Sequence, residues 1–261
     1  MLQNENVVDS MNRDGYAVLH NVIPDEIIHH IAKNLDKYYE QDQQKFGKDF
    51  LFEINESEVI RNVIAYDDIF IKLLEDCIFL DELMEKLLHK FTIIHNYNLI
   101  RLFPELKTKM LGHDWHRDVY YFGPGIRTAV NVIIPVNHMN KENGSTELLP
   151  GSHLHADKPS DSYIEEHKIS SELNPGDVLL VDAATFHSAG KNTSNKPRTI
   201  IVLKYTMSFF TQQYDICRAL PVENYSERVK GRLGYYVRVP DSIEKFRVKP
   251  ESRMYKWPIR Y

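Results

Sequence analysis

The sequence predicts a mainly β fold with α additions: an all-helical layer over about residues 1–90, packed on one side of a β barrel over about 91–210, with a helical and irregular tail at 211–261. Three observations predict it. Before residue 90, apolar residues recur at three- and four-residue spacing, as in IFIKLLEDCIFLDELMEKLLHKF. After residue 90 this gives way to short β-rich runs. Turn chemistry separates those runs at Pro124-Gly125, Asn143-Gly144, Pro150-Gly151, Pro175-Gly176 and Asn195-Lys196-Pro197. No linker rich in Gly, Ser or Pro divides the chain, so residues 1–261 read as one domain, near the upper size for a single core.

Each element follows in order. Residues 3–14 read as a short helix that ends near Gly15, and GYAVLHNVI is a strand-like apolar run. Pro24 opens a helix over DEIIHHIAKNLDKYYEQ, with Asp25 and Glu26 in its first turn, where proline and acids are favoured. Residues 42–56 have no clear period and read as a loop or lid; residues 57–90 read as helical. The β-rich runs are FTIIHNYNLIRLF, DWHRDVYYF, RTAVNVIIPVN, STELLPGSH, DVLLVDAATFH and RTIIVLKYTMSFF. Many short strands at close spacing predict a barrel or sandwich, and barrel closure sets the count at about eight. A helical stretch around YSERVKGRLGYY precedes the irregular end. The loop at 42–56 and the segment 209–235 would cover the barrel mouth.

Composition narrows the function. Hydrophobic residues at 43% and charged residues at 26% are ordinary for a globular protein. The net charge is -5 and the basic residues are scattered, which argues against a nucleic-acid partner or an anionic membrane. The one dense basic stretch, Arg228, Lys230 and Arg232, alternates with apolar residues as a solvated helix face would. Cys77 and Cys217 are too few for a disulfide framework and read as two reduced thiols in a cytoplasm. The opening MLQNENVVDSMNRDG lacks the pattern of a signal peptide, and no apolar run is long enough to span a membrane. The expectation is a small-molecule substrate and a monomer or homodimer.

His116-Arg117-Asp118 lies on a predicted strand, where residues two apart share a face. An imidazole and a carboxylate side by side suit a borderline divalent metal. On the triplet alone, a surface His and Asp on an edge strand is the commoner reading. A second segment, NPGDVLLVDAATFHSAGKNTSNKPRTIIVL, places His187 just after a strand and Arg198 at the start of the next. If the two strands are antiparallel neighbours, both residues face one interior. An arginine there needs an anion: a protein carboxylate, Asp182 for instance, or a dicarboxylate held bidentately.

Together, HDWHRD, ENGSTELLPGSH, NPGDVLLVDAATFHSAGKN, the later arginine and the opening DGYAVLHNVIPDEIIHHI resemble the phytanoyl-CoA dioxygenase family of Fe(II)/2-oxoglutarate oxygenases, over about residues 10–235. The resemblance implies a double-stranded β-helix, or jelly roll. It implies His116, Asp118 and His187 as iron ligands, Arg198 on the distal carboxylate of 2-oxoglutarate, and O2 as oxidant. Family members often carry a Ser two residues after the distal His; here Ala189 stands there, with Ser188 beside it, so Ser188 is the candidate cosubstrate contact. Related halogenases replace the ligand carboxylate with a small residue, so Asp118 implies hydroxylation or another oxidation.

Other residues keep two readings. Asn131 and Asn98 contact the cosubstrate or are satisfied within the protein. Tyr120 shares the period-two face of His116 and Asp118, and either walls the pocket or is a core tyrosine. His113 would face the other side of the strand, and His153 and His155 read as structural. Two other functions stay open: a cupin-like metalloenzyme independent of 2-oxoglutarate, in which Arg198 pairs with a protein acid, and a non-catalytic small-molecule-binding barrel.

Overall fold

A computed structural model describes residues 2–104, 113–221 and 224–249, with side chains from residue 6 onward. The helix α1 (Leu2–Arg13) leads into strand β1 (Tyr16–Leu19). Helix α2 (Asp25–Phe46) buries Ile27, Ile28, Ile31, Tyr38 and Tyr39 along one stripe, the spacing expected of an amphipathic helix on a core. Helix α3 (Lys48–Glu53), strand β2 (Val59–Arg61) and helices α4 (Ile69–Asp76) and α5 (Ile78–Leu87) follow.

The β region supplies β3 (Thr92–Leu102), β4 (Ala129–Pro135), β5 (Thr146–Leu148), β6 (Ile169–Ser170), β7 (Val178–Asp182), β8 (His187–Ala189) and β9 (Arg198–Met207). Helix α6 (Asp161–His167) precedes β6, and α7 (Glu227–Arg232) and α8 (Ile243–Phe246) follow β9. The strands form a six-stranded sheet in the order β1-β7-β4-β9-β3-β2 and a three-stranded sheet, β6-β5-β8. All pairings are antiparallel.

Strand alternation assigns the two faces of the large sheet. Ile201, Leu203 and Tyr205 of β9 join Val130, Val132 and Ile134 of β4 in the core shared with the helices. Ile200 and Val202 of β9 and Ile133 of β4 turn the other way, toward Leu148 and the small sheet. In β3 the register with β9 shifts between Ile94 and Asn96. This bulge re-aims the strand, so that Tyr97 and Leu99 face the helices while Asn96, Asn98, Ile100 and Leu102 line a cavity between the sheets.

Several expectations need correction. The N-terminal layer is not all helical, because β1 and β2 pair with β7 and β3 at the two edges of the large sheet. Nor are residues 57–90 helical throughout: Val59 and Ile60 are buried beside β3, so sheet pairing overrides local periodicity. The expected loop at 42–56 is the end of α2 and the whole of α3, separated by Gly47 at φ 91, a conformation favouring glycine. DWHRDVYYF forms no strand; its ladder is an isolated bridge between His116 and His187. The described strands number nine, in two facing sheets, close to the count of about eight expected, with β1 and β2 added at the edges.

The basic stretch is not a solvated face either. Arg232 is buried and pairs with Asp81 and Glu85, and Arg228 pairs with Asp81 and Glu75, fastening α7 to α4 and α5. Cys77 and Cys217 are both free and buried. No helix among the described residues is long and apolar enough to cross a membrane. The end of the expected irregular tail, 250–261, lies outside the described residues.

Candidate metal centre

His116 and His187 are brought together by backbone bonds. His116 N donates to His187 O at 3.1 Å, His187 N donates back to His116 O at 3.0 Å, and Asp118 N donates to Ala183 O at 2.9 Å. The segment carrying His116 and Asp118 is thereby tied to β8 and to the turn before it. The side chains of His116, Asp118 and His187 each offer one ligand atom, all within 4.8 Å of one another. Nε2 of His116 lies 3.6 Å from Asp118 Oδ1, and Nε2 of His187 lies 3.8 Å from Oδ2.

Both imidazoles have their Nδ1 against a backbone carbonyl: His116 on Asp114 O at 2.7 Å, His187 on Thr185 O at 2.9 Å. A ring that donates from Nδ1 presents a lone pair at Nε2, and this is how metal-binding histidines are oriented. Two nitrogens and one anionic oxygen form a donor set that fits a borderline divalent ion and leaves the remaining positions open.

The electrostatics agree. Burial pushes the Asp118 carboxyl up, but His116, His187, Lys204 and Asn131 together hold it well below the usual carboxylate range. The facing Asp118 raises His116 against the effect of its own burial, and burial lowers His187.

The three residues open onto a cavity of about 480 Å³. Arg198 lies in the same cavity, 2% exposed. Its Nη2 donates to Gly144 O at 2.7 Å, while Nε and Nη1 are buried with no partner. Among the described residues no carboxylate pairs with it. Asp182, the acid expected as a protein partner, is held by Arg127 at 2.8 Å. Burial draws the Arg198 guanidinium down to about 10, still a cation at neutral pH.

Gly144 stands at φ +78, and a Cβ there would lie 2.6 Å from Gly190 O and from Leu102 Cδ2. Only glycine lets this carbonyl reach the arginine so closely.

The remaining expected residues divide. Asn131 donates to Asp118 Oδ2 at 2.5 Å and leaves Oδ1 buried and unpartnered. Ser188 lines the cavity, its hydroxyl donating to His113 O at 3.2 Å. Asn98 also lines it, with its amide between Arg61 Nη1 and the Tyr214 hydroxyl, each at 3.1 Å. Tyr120 is 89% exposed and walls nothing: without a strand at 116–120, period two does not apply. The strand argument for His113 lapses for the same reason; it is partly exposed. His153 is buried with Nε2 at 3.1 Å from Asn12 O, the structural role expected, and His155 is exposed.

Two residues are new. Lys204 sits 3.2 Å from Asp118 Oδ2; its signal was period two from Arg198 through Ile200 and Val202. Arg117 stacks its guanidinium 4.1 Å over the Phe186 ring and donates to the carbonyls of Ser152, His155 and Ala156. No sequence pattern marks that clamp.

Fold and site together define a double-sheet β protein built around a pocket that could hold one divalent metal. The chain matches the family model described as phytanoyl-CoA dioxygenase (PhyH) over residues 11–200, and it belongs to that family. An uncharacterized protein of Mycobacterium tuberculosis, Rv1501, is 28% identical over 97% of this chain and 94% of its own length. The iron/alpha-ketoglutarate-dependent dioxygenase ausO of Aspergillus calidoustus is 23% identical over 88% of this chain and 82% of its own length. The crystal structure of AviO1 from Streptomyces viridochromogenes shares the fold, with a TM-score of 0.57 and 20% identity over 79% of this chain and 96% of that one.

Proposed function

We propose that the protein is a non-haem Fe(II)- and 2-oxoglutarate-dependent oxygenase that oxidises, by hydroxylation, a C–H bond of a small free metabolite, releasing succinate and CO2. The observation that carries this reading is one cavity holding both a three-atom donor set and a buried guanidinium without a carboxylate. His116, Asp118 and His187 would hold the iron. Arg198 would receive the far carboxylate of 2-oxoglutarate through the unpartnered Nε and Nη1, a bidentate fork suited to that group. Ile100, Ile200 and Val202 also line the cavity and give it an apolar wall. Ser188 and Asn98 border the cosubstrate, while Asn131 acts on it through Asp118. Iron, when bound, supplies O2 activation coupled to decarboxylation of 2-oxoglutarate. The carboxylate at position 118 occupies the place a halide would need, which favours oxidation over halogenation.

The unpaired Arg198 also weighs against a cupin-like enzyme independent of 2-oxoglutarate, in which that charge should meet a protein acid. Two free buried cysteines suit a cytoplasmic setting, and the net charge of -5 suits neither nucleic acid nor an anionic membrane. We read the chain as one domain acting as a monomer or homodimer. Adding Fe(II) and 2-oxoglutarate without oxygen tests the proposal: the wild type gains a weak visible absorption, and Asp118→Ala gains none. With oxygen and a screen of small metabolites, succinate release should depend on one compound. Turnover retained in full by Asp118→Ala, or oxygen uptake indifferent to 2-oxoglutarate, would refute it.

A further inference from the structure

We propose that Lys204 couples the two ligands of the cavity, its ammonium opposing the bare divalent ion and favouring the anionic cosubstrate that follows it. This rests on the reading of the triad given above. Lys204 lies on β9 between Asn131 of β4 and Asn96 of β3 in the cross-strand register. All three line the cavity. The Lys204 side chain is 14% exposed, and its Nζ is 3.2 Å from Asp118 Oδ2, the oxygen that Asn131 also grips at 2.5 Å.

Among the described residues, Asp118 is the carboxylate within ion-pair reach of Lys204. Both flanking side chains are neutral amides, with Oδ1 of Asn96 and of Asn131 buried and unpartnered. Of the two arginines that line the cavity, Arg61 is engaged by Glu56 at 2.5 Å and Arg198 stands at its other end, reserved for the far carboxylate. Asp114 also lines the cavity, but among the described residues the ion pair of the ammonium is the one with Asp118.

A divalent ion on Asp118 leaves this corner with two net positive charges: two from the ion and one from Lys204, less one from Asp118. With its far carboxylate on Arg198, the dicarboxylate brings one negative charge to this corner and halves that excess. Lys204 should thus weaken the ion alone and strengthen the anion on the ion-loaded protein. The coupling is reciprocal, as binding linkage requires. Even with water-like screening, a unit charge a few ångströms from a dication changes binding by about ten-fold.

A residue that merely orients Asp118 would act differently. Its loss would loosen the ion and, through the ion, the anion. Lys204→Gln separates the two roles, because glutamine can still donate to Asp118 and carries no charge; Lys204→Met removes the donor as well.

The experiment is calorimetric titration of the full chain with Co(II), and then of the Co(II)-loaded chain with 2-oxoglutarate. The expected result for Lys204→Gln is Co(II) bound about ten-fold tighter and 2-oxoglutarate about ten-fold weaker than in wild type. Lys204→Met shifts in the same direction and carries the test if the glutamine variant does not fold. Affinities unchanged in both variants, or both ligands loosened, would overturn the coupling role. Co(II) held equally well by wild type and His116→Ala would instead overturn the triad, and this inference with it.

Discussion

Arg198 combines near-complete burial with two unpartnered donors, and this has opposite consequences for stability and for binding. A buried charge lacking a counterion costs several kcal/mol relative to a pairing that satisfies it. Replacing Arg198 by methionine, of similar reach and apolar, should therefore raise the melting temperature of the ligand-free protein, by about 2–6 °C for a gain of about 1–2 kcal/mol. The same variant should raise the KM for 2-oxoglutarate about 100-fold, since a lost charge-assisted fork costs about 3 kcal/mol. A scan that showed Arg198→Met less stable than wild type would mean that the guanidinium is satisfied in a way the hydrogen bond to Gly144 does not account for.

His116 gives the site its pH dependence. To offer Nε2 to an ion it must be neutral, yet Asp118 raises its pKa. Binding of a divalent ion should be full above that raised value and should fade as the pH drops through it. Without the ion the sign reverses. The His116–Asp118 contact stabilises the fold most below the ordinary histidine value and loses that contribution as the pH rises through the raised one. Metal titration and thermal melts across pH 5–8, roughly the span of histidine titration, should therefore move in opposite directions. At this level His116, Asp118, His187 and Arg198 stood out in the sequence as candidates, their roles taken from the family resemblance rather than from spacing alone. Lys204 carried only the weak signal of sharing the face of Arg198, and one lysine in an apolar strand resembles an edge residue until its neighbours are known.

The segment from residue 113 to 128 shows what holds an element without regular structure. Its alternation suggested a strand, but the ladder stops at the His116–His187 bridge. Arg117 does the holding, its fork spread over three carbonyls of the loop 152–156 and its plane on Phe186. It therefore joins the residue between two candidate ligands to the residue before the third. Removing partly exposed charge-assisted hydrogen bonds and a cation–π contact costs about 1–2 kcal/mol, the loss expected for Arg117→Ala in chemical denaturation. Metal affinity should drop about ten-fold as well, the usual effect of disturbing the partners behind a metal ligand. Arg117→Lys should recover little of either, because an ammonium cannot span three carbonyls with a flat fork.

Across the molecule, the site sits where two unequal antiparallel sheets face each other. The donors come from the small sheet's side and from the irregular segment, while Arg198, Lys204 and Asn131 come from the large sheet. Ligands that bridge these parts should stabilise all of them together. Co(II) and 2-oxoglutarate at about 100 times their dissociation constants should each add about 2.7 kcal/mol, seen in calorimetry as a rise of several degrees. A single transition that shifts as one would support one cooperative domain; two transitions, only one of them shifted, would divide it.

The sequence by itself determined the local and periodic features: amphipathic helices before residue 90, β runs after it, turns at Asn143-Gly144 and Pro175-Gly176, and the few residue types able to bind a metal and a carboxylate. These follow from neighbours along the chain. Only the tertiary structure decided that β1 and β2 close the edges of the sheet, that Asp182 belongs to Arg127 and leaves Arg198 unpaired, and that Lys204 and Arg117 meet the donors. Those outcomes depend on contacts between residues dozens of positions apart, where the competition for burial and for buried counterions is settled by the fold and leaves no period in the chain.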